Sequence, residues 1–139
     1  MGRPMLFYSK TSQYALKALA YLVKHPEAPC LAENIAQEED IPKPFLSKIL
    51  QELTRAKILN SSRGPGGGFS LAREPQSITI YEVINVFDEM AEEMKICAIG
   101  RKECTDENPC DLHEEYTELR EHVKKYFETV KLSTFADVS

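Results

Sequence analysis

The 139-residue sequence has no long hydrophobic run; lysine, glutamate or asparagine breaks the longest apolar stretches within a few positions. A membrane-spanning helix, which needs about 20 predominantly apolar residues, is therefore excluded. A basic segment followed by an apolar core and a small-residue cleavage site is also missing, so a cytoplasmic location is expected. Leu6 stands where a myristoylation signal after Gly2 needs Ser or Thr. Gly2-Arg3-Pro4 reads as a cloning remnant ahead of Met5 as the natural start. An excess of positive charge is missing too, with 17 Lys/Arg against 22 Asp/Glu. Taken whole, such a chain is a poor candidate for nucleic acid. No nucleophile, base and orienting group fall into an enzyme's pattern. The glycine run at 64–68 lacks the Lys-Ser/Thr ending of a phosphate loop.

What is present is an ordinary globular composition, 42% hydrophobic and 28% charged, in one domain's length of chain. The net charge of −5 hides a split. Residues 1–80 carry ten Lys/Arg and seven Asp/Glu, whereas residues 81–139 carry seven and fifteen. The first part can meet phosphates and the second cannot. Three of the four cysteines, Cys97, Cys104 and Cys110, fall within 14 residues. Without an export signal, such a cluster favours a metal or redox site over a disulfide framework.

Apolar spacing predicts a helix over 12–24, with Ser12 as N-cap, and a short helix over 31–39 with Leu31, Ile35 and Ala36 inward. After the turn Asp40-Ile41-Pro42, a third helix is expected over 43–57. Its apolar stripe is Phe45, Leu46, Ile49, Leu50 and Leu53, and Pro44 suits its first turn. Two short strands flank Gly64-Pro65-Gly66-Gly67-Gly68 and form a hairpin. Thr79 and Glu82 make a capping box for a helix reaching about Met90. A long helix is expected from Asp111 to about Leu132. Leu112, Tyr116, Leu119, Val123, Tyr126 and Val130 repeat at heptad spacing along it, with Phe127 widening the seam. Such a seam at a chain end points to packing against a partner copy, the alternative being a seam that covers the chain's own first helix. Cys30 is expected to be a small buried apolar residue.

Two short helices, a turn, a helix and a glycine-rich hairpin make a winged helix-turn-helix, giving a mainly α fold with a long C-terminal dimerisation helix. Residues 6–92 would form the DNA-binding domain, 93–110 a cysteine loop and 111–134 the dimerisation helix. A helix about 10–12 Å across fits the major groove of DNA. Lys43, Ser47 and Lys48 lie on the polar face of the third helix, near its N-terminus. Arg63 stands at the base of the wing tip, placed for the minor groove, where negative potential attracts arginine. The same architecture also serves protein-interaction modules.

The segment Arg63-Gly64-Pro65-Gly66-Gly67-Gly68-Phe69, with Tyr8-Ser9-Lys10 to Tyr14-Ala15-Leu16 and Ile41 to Leu59, strongly resembles the Rrf-type winged-helix transcription regulators, the IscR/NsrR-like family. The resemblance covers about residues 6–136 and implies double-stranded DNA as partner. It matches Lys43, Pro44, Ser47 and Lys48 to recognition-helix positions, Arg63 to the wing arginine, and Gly66, Gly67 and Gly68 to the backbone-contacting tip. The family's iron–sulfur biogenesis regulator has glutamate where Ser47 stands, so its operator sequence is not carried over.

Cys97, Cys104, Cys110 and His113 read C-x6-C-x5-C-x2-H. Soft sulfur donors suit zinc or an iron–sulfur cluster. Structural zinc prefers closely paired ligands, and only Cys110 and His113 are that close. Free thiols or an adventitious disulfide remain the third reading of the spacing. The family resemblance implies a cluster: its sensors carry three cysteines in this loop, and Cys110-Asp111-Leu112-His113 follows the biogenesis regulator's layout. The first gap is six residues here, against about five there. Nitric-oxide sensors of the family draw an acidic ligand from near the N-terminus; Gln13 stands there in this chain. His113 is therefore favoured as fourth ligand. A [2Fe–2S] cluster comes first, a [4Fe–4S] cluster second and zinc third. The expected function is a homodimeric repressor that reads a pseudo-palindromic operator and senses iron–sulfur, redox or nitric-oxide status.

Overall fold

The computed structural model describes residues 7–137; Leu6, assigned to the DNA-binding domain, and the segment before Met5 lie outside them. Helix α1 spans Lys10–Lys24. Its N-cap is Ser9, whose hydroxyl accepts from the Ser12 N–H, and not Ser12, which is buried inside the first turn. Helix α2 spans Ala32–Glu39 and ends on Asp40, in the left-handed conformation at φ 54°. Ile35 is buried, but Leu31 precedes the helix as its N-cap and stays 49% exposed rather than turning inward.

Helix α3 spans Lys43–Arg55, and Leu46, Ile49, Leu50 and Leu53 are buried. Phe45 does not join them and is 60% exposed. At about 100° per residue it lies a quarter turn from the centre of that stripe. Burying a leucine such as Leu50 contributes about 1.5–3 kcal/mol, so the four fix which face of α3 is left for a partner.

The wing pairs β1, Leu59–Ser62, with β2, Gly68–Leu71, antiparallel, Leu59 opposite Leu71. Cys30 adds a third edge: its N–H donates to Phe69 O at 2.9 Å and its carbonyl accepts from Phe69 N–H at 2.8 Å. The Cys30 side chain is half-exposed, not the buried apolar residue expected, because the backbone pairing sets its position.

A 3-10 turn at Pro75–Ser77 leads to α4, Ile80–Phe87. The capping box forms as expected: Thr79 Oγ1 accepts from Glu82 N–H, and Glu82 Oε2 from Thr79 N–H, both at 3.1 Å. The helix stops before Met90. Asp88 turns extended, its carboxylate held by the start of α1, and a four-residue helix α5 follows at Met90–Glu93.

Helix α6 runs His113–Thr129, shorter at both ends than expected. At Val130 the chain becomes extended. There it forms sheet-like bonds back to the start of α4: Ile80 N–H to Val130 O and Leu132 N–H to Ile78 O, both 2.9 Å. A second 3-10 turn, Leu132–Asp137, packs against α1. The heptad seam splits. Phe127 is buried, and Val123 and Val130 pack on the core. Leu112, Leu119 and Tyr126 are about half exposed or more. Among the described residues no helix is long and apolar enough to cross a membrane.

Candidate metal centre and nucleic-acid interface

The polar face of α3 is open. Lys43, Pro44 and Lys48 are exposed and Ser47 is half-buried. Lys43 Nζ lies 3.1 Å from Glu33 Oε1 on α2, so part of its charge is already answered. Phe45, next to them, leans on Tyr14 with ring centroids 6.5 Å apart, and Lys10 lies over the Tyr14 ring. Arg63 is exposed at the wing base. Gly66, at φ 78°, has open space around it. Gly67 and Gly68 answer to the wing itself. A Cβ on Gly67 would sit 2.4 Å from Ser62 O, and one on Gly68, at φ 141°, 2.5 Å from Cys30 O.

The segment between α5 and α6 gathers the cysteines. The sulfurs of Cys97, Cys104 and Cys110 lie within 4.8 Å of one another. Cys97 and Cys110 are buried and their sulfurs are 3.7 Å apart. Two ligands on one tetrahedral metal at about 2.3 Å stand about that far apart. Burial pushes the Cys97 thiol up, but the N–H groups of Ile99 and Arg101 and the thiols of Cys104 and Cys110 outweigh it and hold it at about 6. Burial pushes the Cys110 thiol up, and the neighbouring Cys104 and Cys97 add to that. The pair therefore offers one ready thiolate beside one protonated thiol.

His113 opens α6 one turn after Cys110. Its Nδ1 is 3.1 Å from Cys104 Sγ and its Nε2 is 3.0 Å from Asp106 Oδ1. With the Nε2 proton donated to Asp106, the Nδ1 lone pair faces the sulfurs, the orientation a metal-ligating imidazole needs. The donor set thus converges in one place: the three sulfurs cluster together, and His113 Nδ1 joins them through Cys104. Three thiols and one imidazole fit a soft metal or an iron–sulfur cluster.

Two residues here escaped the sequence reading. Asp106 lies in an irregular loop where no periodicity marks it. Arg120 donates from Nη1 to Met94 O at 2.6 Å and Ile96 O at 2.8 Å, just before Cys97. Its signal was spacing: His113, Thr117 and Arg120, at i, i+4 and i+7, share one helix face.

Residues 8–137 match the family profile described as Rrf2, iron-dependent transcriptional regulator. The chain belongs to the Rrf2 family. A candidate HTH-type transcriptional regulator of Aquifex aeolicus is 35% identical over 135 residues, covering 96% of this chain and 93% of that one. The HTH-type transcriptional regulator IscR of Aliivibrio salmonicida is 26% identical over 121 residues, covering 86% and 71%. In fold, the chain is similar to CymR, the global cysteine regulator of Bacillus subtilis. The TM-score is 0.79 at 24% identity, covering 100% of this chain and 99% of that one. This Rrf2-family chain is thus a winged-helix transcription regulator and not an enzyme.

Proposed function

We propose that this Rrf2-family chain is a homodimeric repressor that binds a pseudo-palindromic operator. In this reading Cys97, Cys104, Cys110 and His113 hold a [2Fe–2S] cluster through which it senses iron–sulfur, redox or nitric-oxide status. The observation that carries the reading is the convergence of three cysteine sulfurs within 4.8 Å, with His113 Nδ1 against one of them. Cys97, Cys104, Cys110 and His113 would supply the four protein ligands that such a cluster needs. When bound, such a cluster supplies a one-electron couple, which histidine ligation tunes upward relative to all-cysteine ligation. The chain's own residues do the rest. Cys97 follows α5 by four residues, Cys110 comes just before α6 and His113 opens it, so the four ligands tie the segment between the two helices together. Residues 7–92 serve as the reading head, 93–110 as the sensing loop, and α6 with its flanks as the dimer contact, through the exposed Leu112, Leu119 and Tyr126. Lys43, Pro44, Ser47 and Lys48 enter the major groove, and Arg63 with the Gly66–Gly68 tip meets the adjacent backbone or minor groove. A two-fold dimer sets its two reading heads about one helical turn, or a multiple, apart. The cytoplasm, with the DNA, is the place of action.

Purification without oxygen tests this: brown protein with absorbance at about 320–450 nm, from sulfur-to-iron charge transfer, and about two iron and two sulfide per chain are expected. Colour must be lost in the Cys97→Ala, Cys104→Ala and Cys110→Ala variants. Four iron and four sulfide per chain would assign the [4Fe–4S] form instead. A colourless protein that stays free of iron after reconstitution overturns the cluster. One observation favours zinc as the second reading: all three sulfurs are near enough together for a single tetrahedral ion. One zinc per chain and DNA binding indifferent to oxidants would then be found.

A further inference from the structure

Arg120 sits in the middle of α6, half-buried, and its guanidinium turns back onto the chain ahead of Cys97. Nη1 donates to the carbonyls of Met94, at 2.6 Å, and Ile96, at 2.8 Å, and Nη2 donates to Thr117 Oγ1 at 3.2 Å. The guanidinium carbon lies 5.1 Å from the centroid of the Tyr116 ring. Among the described residues Nε is buried with no hydrogen-bond partner. Met94 ends α5, so its carbonyl is one of those a helix leaves unpaired, and a cation suits that end. Ile96 is the residue before Cys97.

The chain geometry gives these bonds a consequence. Cys110 and His113 are fixed to α6 by covalent continuity. Cys97 is thirteen residues before Cys110, across an irregular loop that leaves its position free. Arg120 removes that freedom by holding the turn that delivers Cys97 to the same helix that delivers Cys110 and His113. A lysine ammonium could donate to both carbonyls, but it has no second nitrogen to reach Thr117 Oγ1 and no planar group to lie over the Tyr116 ring.

We propose that Arg120 is a positioning residue: it clasps the 94–96 turn to α6, presets the Cys97–Cys110 pair for metal, and passes any displacement of Cys97 to the helix. The part concerning metal rests on the metal-site reading above; the clasp itself does not.

The test uses the full chain in metal-free form, comparing wild type with Arg120→Met and Arg120→Lys. Amide exchange is followed at Lys95 and Ile96, whose N–H groups donate to Glu92 O and Glu93 O, with the Leu50 amide as core reference. Arg120→Met should speed exchange at Lys95 and Ile96 at least about tenfold while Leu50 is unchanged. Anaerobic cobalt(II) titration, read by the thiolate charge-transfer bands, should show affinity lowered about 10- to 100-fold. Arg120→Lys should fall between wild type and Arg120→Met in both measurements, so the result does not depend on the methionine variant alone. Exchange at Lys95 and Ile96 within twofold of wild type, or rising only in step with Leu50, overturns the clasp. Wild-type protein that takes up no cobalt(II) sinks the metal-site reading, and the exchange result still decides the clasp.

Discussion

Ser12 Oγ donates to Asp88 Oδ2 at 2.5 Å, joining residues 76 apart in the chain. The same oxygen accepts from Ser9 N–H and Ser9 Oγ, each at 3.0 Å. A carboxylate at the end of α4 thus completes the N-terminus of α1, where negative charge is favoured. Because Ser12 is fully buried, its hydroxyl has no water to turn to. Removing one partner of such a charge-assisted bond costs about 1.5–3 kcal/mol. Ser12→Ala should therefore lower the urea midpoint with an unchanged m-value, and Asp88→Ala should cost more because it strands both serines.

Phe45 and Leu46 are neighbours with opposite roles. Leu46→Ala, in the core, should cost about 2–5 kcal/mol. Phe45→Ala should stay within about 0.5 kcal/mol of wild type and still weaken duplex binding, since an exposed aromatic on a recognition helix can pack on thymine methyls. Chemical melts and fluorescence anisotropy on a selected operator separate the two effects. Unaltered operator affinity in a folded Phe45→Ala protein would remove Phe45 from the interface.

Gly68→Ala places a Cβ 2.5 Å from Cys30 O at φ 141°. Neither backbone can yield without breaking the Cys30–Phe69 pair. Operator affinity should fall roughly tenfold, about 1.4 kcal/mol, while the helical signal in circular dichroism is kept.

Arg63 is a phosphate or minor-groove contact in the proposed interface. Arg63→Ala should reduce the slope of log affinity against log salt by about one. An identical slope would move the wing away from the DNA.

In metal-free protein the thiols should titrate separately. Cys97, held at about 6, is expected to be a thiolate at pH 7. Cys110, pushed up by burial and its neighbours, and Cys30, pushed up by burial and Glu27, follow only well above. Absorbance at 240 nm should show one thiolate formed by about pH 7, a step belonging to the coupled pair. Cys97→Ala should abolish that early step.

Much of this was legible because it is local. The Thr79–Glu82 capping box needs only four consecutive residues. The glycine run fixed the wing, and the stripe Leu46, Ile49, Leu50, Leu53 fixed the buried face of α3. What failed depended on distant groups. Ser12 looks like a cap until Asp88 arrives from another helix and draws it inside. Phe45 and Leu46 are equally apolar, and spacing does not say which edge of a stripe the core covers. The heptad seam reads the same whether its partner is a second copy or this domain; Phe127 and Leu119 take opposite answers on one helix. The cysteines could be grouped by spacing, but Asp106 reaches His113, and Arg120 the carbonyls of Met94 and Ile96, only once the loop is folded.

The backbone bonds joining Val130 and Leu132 to Ile80 and Ile78 pin the C-terminal end of α6 to the domain. Its opposite end, at His113, stands 17 residues away, or about 25 Å along the axis. Were the helix to pivot at that anchorage, it would act as a lever with its fulcrum at the domain and its long arm at the sulfurs. A tilt of only about 5° would sweep the far tip by roughly 2 Å. Read in reverse, a shift of ångström size among the ligands becomes a small, rigid rotation delivered at the fulcrum.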